Sequence, residues 1–164
     1  IPWTVLAEGV ANITNITVGL ATFIISASIL LLWIPLKQKP GLGTIFNAII
    51  IALSIDLFVF IIPKTISTYS YILVMLIGIF MVGLGSAIYL IANLGPGARD
   101  GLMKGISENY RKPIAFVRLF IELIVVILGW LLGGTVGLGT ILFALLIGPC
   151  ISINLLMIKK INKT

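Results

Sequence analysis

The sequence contains no histidine and a single cysteine, and both features narrow what the chain can do. Without histidine there can be no Cys/His zinc site and no histidine-based nucleophilic triad. The lone Cys150 cannot form an internal disulfide, and within Gly-Pro-Cys-Ile-Ser it is expected to be a small packing residue. Neither a nucleophile–base pair nor a set of metal ligands is visible, so the sequence does not favour an enzyme or a cofactor-binding protein.

Charge is also scarce, and this sets the class of protein. Only 10% of the 164 residues are charged and 60% are hydrophobic, with a mean hydropathy of +1.24. Soluble domains carry about 25% charged residues, so most of this chain cannot face water. The sequence predicts an all-α, polytopic helical membrane protein whose surroundings are membrane lipids. Trp33, near the end of the first apolar run, is expected at the membrane interface. The runs predicted to span the membrane lie at about 18–35, 44–62, 71–94, 114–132 and 140–158.

The basic residues lie mainly in the connections between these apolar runs. If all five runs cross, the loop with Lys37 and Lys39, the connection from Arg99 to Lys112 and the C-terminal tail share one side. Only Lys64 lies on the other side. This asymmetry follows the positive-inside rule and predicts a cytoplasmic C-terminus. No nucleic-acid partner is expected, because the cations are not interleaved with aromatic residues on one soluble face.

A polar, glycine-rich stretch from Leu94 to Gly105 interrupts the apolar pattern. Its Gly-Pro-Gly start breaks any arriving helix, and a new helix too short to span is expected at about 97–109. No strand pattern precedes the stretch, so a P-loop is disfavoured. A helix start beside Arg99 has free backbone N–H groups that suit an anionic ligand, and Asp100 would stabilise that start. The alternative is a loop charge pair that helps to fix orientation.

The sequence also repeats itself at a shift of 96 positions. Gly41-Leu-Gly-Thr-Ile45 falls on Gly137-Leu-Gly-Thr-Ile141, and the same shift aligns further glycines without a gap. Each complete unit would hold three spans, an odd number, so the copies would insert in opposite senses. This predicts two inverted repeats, at 1–68 and 69–164, with the first helix of repeat 1 missing upstream of Ile1. Inverted repeats with broken helices are typical of secondary transporters.

Three acidic or basic side chains fall inside apolar runs, where an unpaired charge is costly. Arg118 and Glu122 lie four residues apart on one helical face, and each would cost about 2.5–3.5 kcal/mol if unpaired at a helix centre. One interpretation is a proton or substrate relay, and the other is a self-neutralising pair that locks helix packing. Asp56 lies about two turns before Pro63, where a solvated or capped carboxylate is favoured.

Several motifs resemble one family of bacterial integral membrane proteins. Leu94-Gly-Pro-Gly-Ala-Arg-Asp-Gly-Leu-Met103 is similar to the Gly-x-Gly-Pro-Arg-Asp-Gly-Leu-Met stretch of the YczE/YyaS/YitT family, and Trp33–Thr44 and Gly129–Thr140 also resemble it. The first motif copy, usually Gly-Pro-Trp-Asp there, is Ile1-Pro-Trp-Thr4 here. The resemblance implies a multi-pass protein of the bacterial plasma membrane, and some relatives are classed with exporters of small molecules.

The leading functional hypothesis is a secondary transporter or exporter of an unidentified small molecule, coupled to protons through Glu122. Substrate binding or gating is expected where Arg99 and Asp100 meet Arg118 and Glu122. Asp56 is a secondary candidate. The alternative is a membrane scaffold or regulatory protein that transports nothing, and a homodimer is compatible with either hypothesis.

Overall fold

The computed structural model describes residues 1–61, 68–92 and 94–161, and this part of the chain is helical without a strand. Lys64 and Lys163, which contribute to the predicted orientation, lie outside the described residues, as does Ile62 at the end of the second predicted span. The helices are α1 Pro2–Thr14, α2 Val18–Trp33, α3 Leu42–Ile61, α4 Thr68–Ala92, α5 Ala98–Tyr110, α6 Ile114–Leu131 and α7 Leu138–Ile161.

Three helices in the described part of the chain are long and apolar enough to cross a membrane: α3, α4 and α7. Only 17% of the apolar window of α3, and of that of α4, is buried inside the protein, so these faces are available to lipid. α2 has 16 residues, about 24 Å at 1.5 Å per residue, and it qualifies only together with α1 across a 111° bend. The membrane character of the chain is thus clear, whereas a separate crossing by α6 remains a prediction.

Helix starts recur at the same shift as the sequence motifs. α1, α2 and α3 begin at Pro2, Val18 and Leu42, and α5, α6 and α7 begin at Ala98, Ile114 and Leu138. Each later helix begins 96 positions after its counterpart. Because a helix start depends on local sequence signals, this regularity extends the repeated motifs to secondary structure.

The chain divides into two compact units, and the smaller is built on the pair α4 and α7. Ile79 of α4 packs with Phe143 and Ile147 of α7. Gly83 brings the helices close, since a Cβ there would lie 2.5 Å from the sulfur of Cys150. Cys150 is a free thiol in this contact, and the amide nitrogen of Asn154 donates to its carbonyl oxygen at 2.9 Å.

The larger unit contains α1, α2, α3, α5 and α6. The short helices α1 and α5 are central to it: α1 packs against α6 and α2, and α5 packs against α2, α6 and α3. Trp33 is only 1% exposed, so the prediction that it anchors the membrane interface is wrong. Its ring packs on α5 instead. The main core consists of Trp3, Ile29, Trp33, Ala98, Leu102, Met103, Val117 and Val125.

Candidate functional site

The glycine-rich stretch is seated against the start of α3 before α5 begins. Gly95 has φ +111°, a left-handed conformation that glycine adopts without steric cost. The hydroxyl of Thr44, which is fully buried, donates to the carbonyl of Pro96 at 2.7 Å, and the Gly43 N–H donates to the Leu94 carbonyl at 3.0 Å. A Cβ on Gly41 would overlap the Leu94 carbonyl. These contacts fix where α5 starts.

Along α5 the glycines allow close packing. A Cβ on Gly101 would overlap Cζ2 of Trp33, whose indole N–H donates to the carbonyl of Ala98 at 3.0 Å. One turn later, a Cβ on Gly105 would lie 2.9 Å from Cγ of Gln38. The glycines therefore serve backbone geometry and helix contact. The sequence alone does not distinguish this role from a ligand cradle.

Arg99, the second residue of α5, meets α1. Its guanidinium lies 5.1 Å from the ring centroid of Trp3, within the range of a cation–π contact. Trp3 and Arg99 occupy positions 96 apart, so equivalent residues of the two short helices contact each other. Burial lowers the pKa of Arg99 to about 10, while the nearby charge of Asp100 opposes that shift. The guanidinium thus stays cationic at neutral pH, although its burial away from water makes the charged form less favourable.

The N-terminal end of α5 carries no side-chain cap. Its N-cap residue is Gly97, and Asp100 is the acidic residue of the first turn. A Cβ on Gly97 would lie 3.2 Å from the side-chain oxygen of Asn47 and 3.6 Å from a carboxylate oxygen of Asp100. The helix dipole places partial positive charge at this end, and the Asp100 carboxylate lies beside it.

Arg118 and Glu122 form an ion pair on α6. The Arg118 Nε–H donates to Glu122 Oε1 at 3.1 Å, and Glu122 is buried, with only 8% of its side chain exposed. Arg118 is more open, at 28%. The same shift of 96 places Thr22 and Ser26 of α2 at the equivalent positions, and both are buried. Polar side chains thus occupy the same two places in both copies, and only the second copy is charged.

Asp56 caps the beginning of α2. Its carboxylate accepts from the Gly19 N–H and from the Thr17 hydroxyl, each at 2.7 Å. Thr17 is itself the N-cap residue and accepts from the Leu20 N–H. A side chain on Gly19 would overlap Asp56. The geometry is that of the capped carboxylate, the interpretation favoured by the sequence.

Two further contacts hold the ends of the short helices, and they were not singled out from the sequence. The carboxylate of Glu8 on α1 accepts from the N–H and hydroxyl of Thr135 at 2.7–2.9 Å. On α5, the amide of Gln38 donates to Glu108 at 3.0 Å. The sequence repeat could have indicated that these segments lie together. Gly9 packs on Leu132, and the equivalent residues at a shift of 96, Gly105 and Leu36, also pack together.

The structure thus brings the predicted residues together in two places. Arg99 lies with Asp100 at the start of α5, and Arg118 pairs with Glu122 on α6. Both helices contribute to the core that surrounds Trp3 and Trp33. Asp56 belongs to a separate cap at the start of α2. The arrangement offers a cationic helix start and a buried carboxylate in one unit.

Comparison with known proteins places the chain in a family. Residues 1–155 match the model of a family of unknown function, DUF6198. An uncharacterised protein of Haemophilus influenzae is 44% identical over 160 residues, covering 98% of this chain and 73% of that protein. The membrane protein YczE of Bacillus subtilis is 35% identical over 156 residues, covering 94% of this chain and 72% of YczE.

YyaS of Bacillus subtilis is 28% identical over 163 residues, covering 97% of this chain and 81% of YyaS. No solved structure matches the chain. The similarity to YczE and YyaS agrees with the motif resemblance, whereas the link to YitT remains a resemblance of motifs. The apolar helices and these relatives together identify the chain as a membrane protein, and it belongs to the DUF6198 family of bacterial membrane proteins with YczE and YyaS.

Proposed function

We propose that this protein is a secondary transporter of small anionic molecules, with Arg99 at the substrate site and Glu122 as the proton-carrying group. The observation that carries the proposal is the contact between Trp3 and Arg99 at 5.1 Å, which joins the first turns of α1 and α5. Transporters commonly bind anionic substrates where the N-terminal ends of broken helices converge. Here side chains from the first turns of two short helices meet, and one of them is a cation.

The recurrence of helix starts supports an inverted repeat as the framework of this transporter. In the proposal, α1 and α5 are short non-spanning helices that enter from opposite sides, and α6 crosses the membrane. Gly9 contacts Leu132, and the equivalent residues Gly105 and Leu36 also contact each other. Such paired contacts are expected where corresponding helices of two sequence repeats pack together. The C-terminus lies on the cytoplasmic side in this topology, as the lysine and arginine distribution favours.

Glu122 has the properties of a coupling group. Its carboxylate is buried, and its Arg118 partner lies one helical turn away with a more exposed side chain. Protonation of Glu122 would release Arg118, and deprotonation would restore the pair. Intramembrane carboxylates in pumps and transporters commonly act in this way.

The test is carboxylate flux into proteoliposomes that contain a pH-sensitive dye. A panel of small carboxylates is applied under an imposed pH gradient, and both proton movement and exchange of labelled carboxylate are recorded. Glu122→Gln should abolish proton-coupled accumulation while preserving exchange. Arg99→Met should abolish both. Asp56→Asn is the control and should preserve both, because that carboxylate caps α2 in a separate place.

Flux and coupling that are unchanged in both Glu122→Gln and Arg99→Met would refute the assignment. If no carboxylate moves with wild-type protein, the proposed substrate class is wrong.

One observation favours the second candidate, a scaffold or regulatory membrane protein. Arg118 and Glu122 already satisfy each other at 3.1 Å, as a pair that only locks helix packing would. In that case Glu122→Gln should lower thermal stability without any change in flux. Replacing both residues with leucine should restore stability, because well-packed apolar residues can replace a buried ion pair.

A further inference from the structure

We infer that this protein carries a binding surface for the headgroups of anionic phospholipids, formed where the loop after α2 is held against the end of α5. The surface is called the basic clamp here and consists of residues 34–40 and 104–112. It is independent of transport, since it involves neither the Arg99 site nor Glu122.

The two segments of the basic clamp are far apart in sequence and are joined by direct contacts. The side-chain amide of Asn109 donates to the carbonyl of Leu36 at 3.2 Å. Gln38 donates to Glu108 at 3.0 Å, and a Cβ on Gly105 would meet Leu36 and Gln38 at 3.3 Å or less. Cations on either segment are therefore gathered onto one surface.

That surface is strongly positive. Its only acidic residue is Glu108, which pairs with Lys104 at 3.8 Å and also accepts from Gln38, so one negative charge faces five positive ones. All five cations are exposed. They are Lys37, Lys39, Lys104, Arg111 and Lys112.

An equivalent clamp elsewhere in the same unit shows that the fold does not need these cations. Residues 132–136 are held against 8–15 by Glu8 and Thr135, and by Asn12, whose amide donates to the Gly133 carbonyl at 3.1 Å. This Glu8 clamp contains no lysine or arginine. The same architecture thus forms with a net charge of the opposite sign.

The basic clamp and the Glu8 clamp also differ in the residue types that occupy their positions of positive φ. Lys37 and Arg111 both have positive φ, at 55° and 51°. Their counterparts at a shift of 96 are Gly133, at 88°, and Asn15, at 55°, which are residue types that favour this conformation. The basic clamp therefore keeps a cation at two positions where glycine or asparagine is sterically easier. The presence of two cations at positions that disfavour their side chains supports a role for the charge.

Apolar side chains border the cations, as a lipid surface requires. Ile34 and Leu42 are 73% and 71% exposed, and Tyr110 is 69% exposed at the end of α5. Tyrosine favours the level of the headgroups, and clusters of four to eight basic residues beside a membrane helix are typical of anionic-lipid binding. α3, which begins at Leu42, is among the helices able to cross the membrane.

The test exchanges the residues of one clamp for those of the other. Full-length wild-type protein and the double variant Lys37→Gly/Arg111→Asn are purified in neutral detergent. Each is titrated with phosphatidylglycerol or phosphatidylcholine of the same acyl chains, and bound lipid is counted by native mass spectrometry. Wild type should prefer phosphatidylglycerol. The variant should lose on the order of 30-fold of that preference, because each basic residue near an anionic surface contributes roughly five-fold.

The double variant should melt no lower than wild type, because it relieves two unfavourable φ values. The matched control, Lys160→Gln/Lys163→Gln, removes the same charge from the C-terminal end of the sequence and should keep the preference. High salt should weaken the wild-type preference. An equal loss in the tail control, or no preference in wild type, would overturn the proposal. Displacement of phosphatidylglycerol by glycerol phosphate at equal ionic strength would also overturn it, since it would indicate a site for small anions.

Discussion

The contact between Gly101 and Trp33 predicts that Gly101→Ala destabilises the protein although it adds a single methyl group. The new Cβ would overlap Cζ2 and Cη2 of the indole and lie 2.7 Å from its Cε2. Trp33 is 1% exposed and its N–H is bonded to Ala98, so the ring has little room to move. Overpacking costs about 1–3 kcal/mol, and loss of the hydrogen bond adds about 0.5–1.5 kcal/mol. Alanine returns about 1 kcal/mol in helix propensity.

The net destabilisation is therefore about 0.5–3.5 kcal/mol. Its middle value, about 2 kcal/mol, lowers Tm by about 4–8 °C for a chain of this size. Thermal unfolding in detergent, followed by circular dichroism, measures it. Gly85→Ala is the matched control, since nothing lies within 4 Å of its added Cβ, and it should melt at or slightly above the wild-type temperature. If the contact is the cause, Trp33→Phe should make Gly101→Ala less costly in a double-mutant cycle. A wild-type Tm for Gly101→Ala would refute this packing of α5 on α2.

Three further substitutions test other parts of the larger unit. Asp56→Ala should cost about 1.5–3 kcal/mol of unfolding free energy, because two hydrogen bonds to a carboxylate are lost, and Asp56→Asn should cost less; an equal loss for both would contradict the cap. Arg99→Met should leave Tm within about 2 °C of wild type, because the cost of burying the Arg99 charge and the gain from its contact with the Trp3 ring are lost together. A Tm that falls by more than about 10 °C would show that the cation stabilises the fold. Thr135→Val should cost about 1 kcal/mol of unfolding free energy, because the hydrogen bond from the hydroxyl to Glu8 is lost while the one from the backbone N–H remains. Chemical denaturation in mixed micelles measures this free energy.

Much of the helical layout could be predicted because it depends on local signals. Long apolar runs mark α3, α4 and α7, and a proline between two glycines marks the break before α5. The predicted short helix at about 97–109 corresponds to Ala98–Tyr110. The first predicted span, at about 18–35, begins at Val18 as α2 does, but α2 ends at Trp33 after 16 residues. The sequence did not predict that α2 is long enough to cross a membrane only together with α1, across their 111° bend.

The side-chain roles were harder to predict, because they depend on partners distant in sequence. A tryptophan near the end of an apolar run resembles an interface anchor, and nothing near Trp33 reveals that Gly101 leaves space for its ring. The repeat nevertheless contains the information. At the equivalent contact the sizes are exchanged: Gly129 is the small residue, and its Cβ would meet the backbone of Val5 and Leu6. A comparison of residue sizes at positions 96 apart in this sequence therefore points to the contact.

The exchange of sizes shows how equivalent contacts can be kept while their residues differ. Each short helix needs a close contact with a helix of the other copy, and a glycine on either side of that contact provides it. Once the packing requirement is met, the remaining positions of the pair can differ in chemistry. Arg99 is equivalent to Trp3, and Arg118 and Glu122 are equivalent to Thr22 and Ser26, so these positions carry more charge in the second copy. The basic clamp, which takes residues from both copies, likewise carries more charge than the Glu8 clamp. In the proposed inverted repeat, such chemically unequal halves would give the protein a direction, which both a transporter and an oriented membrane scaffold require.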